Sequence, residues 1–221
     1  MKRPIPQESP SASEVLSQLA SQRATGPVLH RMARAFGRNH GLAGELWASG
    51  GHGARLLACL VDEPVRVTRA QMESWARAFD SWDLVDCACR YLFLYTPHAW
   101  GICVAWSRRK PEFTKRAGFS QMAYLALHDR RAADAKFQPL LRRIEQEASD
   151  ERHFVKMAVN WALRQIGKRN FALHREALRA ARRIARQESA AARWVAADAI
   201  RELTSSAVLR RMSARRARNL S

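Results

Sequence analysis

Lys156-Met157-Ala158-Val159-Asn160-Trp161-Ala162-Leu163 starts on a basic residue, runs on through small side chains and closes on larger apolar ones. The same order recurs from Arg116 and from Arg193, so the copies stand 40 and 37 residues apart. A period of that length is one helix–turn–helix unit, which buries its apolar face only by stacking on its neighbours. No strand candidate interrupts the pattern, so the chain reads as all-α.

Working outward, the 221 residues are 47% hydrophobic and fit one large domain or two small ones. Ten glycines and eight prolines are too few for a β-sandwich or barrel cut by frequent turns. The expected architecture is a right-handed-type solenoid of antiparallel helix pairs, HEAT/armadillo-like, with a concave basic face. Residues 1–12 read as a mobile lead, 13–204 as the solenoid, and 205–221 as a basic C-terminal helix or frayed tail.

Thirty-eight Lys and Arg face twenty Asp and Glu, a formal net charge of +18. That excess calls for a polyanion, and its arginine content suits phosphate better than a membrane surface. Met1 to Pro6 begins basic but lacks the apolar run of a signal peptide, and no apolar stretch is long enough to cross a bilayer. Cys59, Cys87, Cys89 and Cys103 form no Cys-x-x-Cys pair and read as small core residues of a reduced compartment. A cytoplasmic, chromosome-associated protein is expected.

Helical periodicity marks segments from Glu14 to Ala20, Val28 to Phe36, Leu42 to Trp47 and His52 to Val61. Ser49-Gly50-Gly51 is a turn between helices; it has neither a preceding strand nor the Gly-Lys-Ser/Thr ending of a phosphate loop. Thr68 caps the next helix, Pro111 opens the one over residues 112–126, and helices are expected over 135–147, 153–167, 171–187 and 190–203. Trp47, Trp75, Trp100, Trp106 and Trp194 are placed in the repeat cores.

The acidic stretch Phe79-Asp80-Ser81-Trp82-Asp83-Leu84-Val85-Asp86-Cys87 breaks the basic background. Side chains four apart on a helix lie one above the other, so Trp82 and Asp86 point to one place. Alone, the stretch is also an ordinary helix start, with Asp80 or Ser81 as cap, Asp83 on the positive end and Asp86 paired with Arg90. The seven histidines hold no His-x-x-x-His pair and no cysteine joins them at ligand spacing, so no metal and no cofactor is expected. An acid on a surface that meets phosphate repels it unless it has chemistry to do.

Phe79 to Asp86, Phe113-Thr114-Lys115-Arg116-Ala117, and Val159 to Asn170 resemble, in order, three diagnostic stretches of the AlkD-like DNA alkylation repair family of HEAT-like glycosylases. The similarity runs from about residue 30 to residue 204. It implies excision of cationic alkylpurines, N3- or N7-alkylated, from duplex DNA. It also implies roles residue by residue: Asp86 catalytic, Trp82 and Trp161 as π-faces against sugar and base, and Arg116 on a backbone phosphate. Taken without the resemblance, Trp161 reads as core and Arg116 equally as a salt bridge between repeats. His52-Gly53-Ala54-Arg55 departs from the family, many of whose members carry an acid where Gly53 stands.

The expected function is therefore a monofunctional alkylpurine DNA glycosylase, acting as a monomer on double-stranded DNA containing alkylated bases, with no membrane partner. The alternative is a non-catalytic repeat module that binds DNA by shape and charge, or an acidic protein.

Overall fold

The computed structural model describes residues 10–218, and among them it contains thirteen α-helices and no strand. The helices are α1 (Ala12–Ala20), α2 (Gly26–Phe36), α3 (His40–Ala48), α4 (His52–Val61), α5 (Arg69–Arg77), α6 (Trp82–Tyr91) and α7 (Ala99–Trp106). They continue with α8 (Glu112–His128), α9 (Gln138–Glu147), α10 (His153–Gly167), α11 (Phe171–Ile184), α12 (Ala190–Leu203) and α13 (Ser206–Arg218).

Local chemistry sets several of the boundaries. Ser11 and Glu14 form a reciprocal capping box that starts α1 at Ala12, inside the segment expected to be a lead; residues 1–9 of that lead lie outside the described residues. Thr68, Asn39, Asn170 and Ser189 each accept a backbone N–H at the start of their helices. The helix expected over 135–147 splits into a 3-10 turn at Asp134–Lys136 and α9. Pro139 cannot continue a helix begun earlier, so α9 restarts around it while Phe137 sinks into the core. Residues 206–218 are the helix α13, with Val208 and Met212 buried, in place of a frayed tail.

Two rows result. The even-numbered helices pack in succession, α2 on α4, α4 on α6, α6 on α8, α8 on α10 and α10 on α12. The odd-numbered helices back them, α3 on α4, α7 on α8, and α9 and α11 on α10. The repeat is also written in side-chain hydrogen bonds across it. Thr114 donates to the Ala76 carbonyl 38 residues away, Arg143 to the Ser107 carbonyl at 36, and Asn160 to the Val195 carbonyl at 35. Each satisfies a polar group at a junction that stacking would otherwise bury unpaired.

Helix α8 is the centre of the stack, buried continuously from Thr114 to Ala126. Its approach to α7 requires Gly118, where a Cβ would lie 2.4 Å from the Ser107 amide nitrogen and 2.9 Å from the Cys103 carbonyl oxygen. Trp47, Trp75 and Trp106 are buried and Trp100 packs against the core, as expected, but Trp194 is not a core residue. Its ring is 40% exposed and lies under the Lys156 ammonium at 5.4 Å, a contact in which the preceding repeat covers it with charge instead of hydrocarbon.

Candidate active site

Helix α6 begins without a side-chain cap. Ser81 holds the N-cap position in extended conformation but accepts no backbone N–H, and Asp80 turns away to Arg55 at 3.6 Å, so neither does the capping expected of it. Asp83 occupies the first turn, where its charge favours the helix dipole, and its Oδ2 lies 2.8 Å from His52 Nε2. Burial pushes the Asp83 carboxyl up, but the hydrogen bond with His52 works against it, and the carboxyl lies below its ordinary value.

Asp86 follows one turn after Trp82, and its partner is not Arg90. Arg116 Nη2 reaches both its oxygens, at 3.1 and 2.9 Å, and Ser120 Oγ donates to Oδ1 at 3.0 Å. Arg116 and Ser120 are four apart on α8 and so present one face to α6. The second Arg116 nitrogen, Nη1, donates to the Phe154 carbonyl at 3.1 Å, tying α6, α8 and α10 together. With 8% of its side chain exposed, Arg116 makes the inter-repeat salt bridge weighed for it. Burial pushes the Asp86 carboxyl up more than Arg116 and Ser120 pull it down, so it titrates above the ordinary carboxylate range.

The carboxylate looks out, 23% exposed, on a cleft of about 410 Å³ whose walls include Trp82, Asp83, Asp86, Cys87, Arg90 and Tyr124. The Trp82 indole is 53% exposed, an apolar ring left in water at the mouth of a site. Trp161 does not line the cleft itself. It stands edge-on to Tyr124, with ring centroids 4.9 Å apart and planes at 88°. It also packs against both hydrophobic clusters, and its Nε1 donates to the Gln165 amide oxygen at 2.8 Å in the orientation the hydrogen-bond network favours. The structure thus brings Trp82 and Asp86 into one cleft, sets Arg116 against Asp86, and joins Trp161 to it through Tyr124. Tyr124 was not singled out in the sequence, although Arg116, Ser120 and Tyr124 recur every four residues along one face of α8.

Among the described residues no group of three or more His, Cys, Asp or Glu side chains is placed to hold a metal, and no helix is long and apolar enough to cross a membrane. The four cysteines are free, with only Cys87 incompletely buried.

No curated protein matches the chain. Among solved structures it is similar to one described as "A new family of proteins related to the HEAT-like repeat DNA glycosylases with affinity for branched DNA structures". The TM-score is 0.67 at 18% identity, over 87% of this chain and 95% of that one, a likeness of fold. The sequence model of the DNA alkylation repair enzyme family matches residues 24–203. Spanning all six even-numbered helices, that match means the chain belongs to the DNA alkylation repair enzyme family.

Proposed function

We propose that the protein is a DNA glycosylase that releases cationic N3- or N7-alkylpurines from double-stranded DNA. The observation that carries this reading is a carboxylate, Asp86, held at a cleft beneath an exposed tryptophan on a chain of net charge +18. An alkylated purine is already positively charged. When its bond to C1′ breaks, the bonding pair neutralises the ring, so the base departs without a proton from the enzyme. The sugar left behind is oxocarbenium-like, and Asp86 supplies the opposing charge, orients the water that attacks C1′ and takes up the proton that water loses. Arg116 and Ser120 act as positioning residues that hold the Asp86 oxygens in place. The free face of Trp82 takes the sugar or the cationic base, and Trp161 backs Tyr124 on the facing wall.

A second reading is favoured by one observation, the Arg116 Nη2 contact to both Asp86 oxygens, which already sets a cation against that carboxylate. In that reading the same face binds DNA by shape and charge without chemistry, as the affinity for branched DNA stated for its structural neighbour illustrates.

Incubating the protein with N-methylated duplex and analysing the freed bases separates the two. The glycosylase reading predicts released methylpurine from the wild type and at least a ~100-fold loss in Asp86→Asn, with duplex affinity retained. Wild-type protein that binds the duplex yet frees no base leaves the second reading.

A further inference from the structure

Helix α13 is held to the stack by buried Val208 and Met212, and Arg215 on its last turns donates to the carbonyls of Lys168 and Arg169, which follow α10. Two cavities, of about 430 and 590 Å³, lie between α13 and the C-terminal ends of α8 and α10. They share Ala126, Leu127, Arg169, Arg215 and Arg218, so they are two lobes of one cleft.

Six cations line that cleft against two carboxylates, and both carboxylates are already engaged. Glu202 is bonded by Arg164 and Lys168, and Asp134 by the Asn170 amide. Arg169 is built into the wall, donating to the Ala126 and Ala132 carbonyls. Arg130 and Arg211 are exposed and enter no ion pair among the described residues. Positive charge concentrated in a concavity focuses the field on an anion, and guanidinium forks suit phosphate oxygens.

We propose that this cleft grips backbone phosphates of the DNA arm on one side of the Asp86 site. The inference rests on the DNA reading above, and adds to it where the flanking duplex runs. Gln165 links the two places, since the amide oxygen that accepts from Trp161 also accepts from Lys168 Nζ at 3.1 Å. From Ser120, beside Asp86, to Ala126 is about 9 Å along α8 at 1.5 Å per residue, and one helix spacing across adds about 10 Å. The cleft therefore sits roughly 14 Å from Asp86, about four steps along a strand at 3.4 Å each. An arm shorter than that does not reach it.

The test is the double variant Arg130→Ala/Arg211→Ala, titrated by fluorescence anisotropy with duplexes of 8 and 20 base pairs over a range of salt. Neither side chain has a hydrogen-bond or ion-pair partner among the described residues, so an unchanged thermal melt is expected. The wild type should bind the longer duplex more tightly. The double variant should lose about tenfold of that affinity at low salt, with the slope of log K against log salt reduced by roughly 1.8, and should bind the short duplex like the wild type. Arg211→Glu should lose more than Arg211→Ala. Equal affinity and equal salt slope of wild type and double variant on the long duplex overturn the cleft while leaving the DNA reading intact; a wild type that binds neither duplex overturns both.

Discussion

The two halves of the stack are closed by different chemistry. In the N-terminal half the core is aromatic: Trp47 and Trp75 lie stacked at 3.9 Å with planes 1° apart, and Phe79, Phe93 and Trp106 close around them. In the C-terminal half it is mainly alanine, leucine, isoleucine and valine around Phe119 and Phe137, and polar ties run across the junctions, among them Lys115 to Asp150, Arg183 to Glu145 and Arg164 to Glu202. Helices α7 and α8 belong to both. Ile102, Trp106 and Ala117 face the aromatic side, and Cys103, Phe119 and Met122 the aliphatic one. Asp86, Arg116, Tyr124 and Trp161 gather at that seam. A site placed there is supported by two separately packed bodies, which fixes its geometry against motion within either.

If the first half is held by ring volume, removing one ring should cost most. Trp106 is fully buried, lies 5.7 Å from Phe93 and donates from Nε1 to Glu73 at 3.0 Å. Trp106→Ala should lose about 3–5 kcal/mol in denaturant unfolding, little affected by salt. A loss under about 1 kcal/mol would mean that the aromatic cluster is loosely packed and the contrast false.

The seam itself comes next. Gly118→Ala sets a methyl against the α7 backbone, which has no flexible end to move aside, and should cost about 3 kcal/mol, or ~9 °C in melting temperature. Gly101, within α7, has nothing within 4 Å of its would-be Cβ. Gly101→Ala should therefore stabilise by up to about 1 kcal/mol through helix propensity. Similar melts for the two variants would show that α7 and α8 do not need their close approach.

The halves also differ in how much of them the sequence discloses. The repeat is readable from Arg116, Lys156 and Arg193 because the C-terminal units reuse one pattern of small and apolar residues along the even row. The N-terminal units share no such lettering, since large rings fill their junctions wherever volume is needed; their helices show instead through caps such as Thr68 and through periodicity. Trp82 and Asp86 meeting at one cleft follows from a spacing of four. That Arg116 and Ser120 hold Asp86 does not, because their contact spans 30 to 34 residues of chain and depends on how closely α6 approaches α8. Trp194 misleads for a related reason: apolar periodicity places it inside, while the Lys156 contact that covers it from the preceding repeat is set by tertiary packing.

Charge in the second half gives a smaller, pH-dependent effect. Burial alone would raise the Asp150 carboxyl, but Arg152 and Lys115 hold it down at about 2. A folded value below the unfolded one, about 3.9, means that this stability is complete above the unfolded value. It drains away as pH falls through that window toward about 2. Acid unfolding followed by circular dichroism should show Asp150→Asn less stable at neutral pH and converging on the wild type at the acid end. Parallel curves would remove the ion pairs from the account of the C-terminal half.

The smallest effect tests the seam as a chemical device, in the glycosylase reading. Ser120 donates to Asp86 Oδ1, a bond that favours the ionised carboxylate. Base release needs that ionised form, so its rate should climb with pH through a value already above the ordinary carboxylate range. Ser120→Ala deletes the donor and keeps the Arg116 contact, so the acid limb should move further up while the plateau at higher pH is kept. A variant that lowers the plateau and leaves the limb in place would make Ser120 a packing residue of α8. In that case the two halves would meet at Asp86 through Arg116 alone.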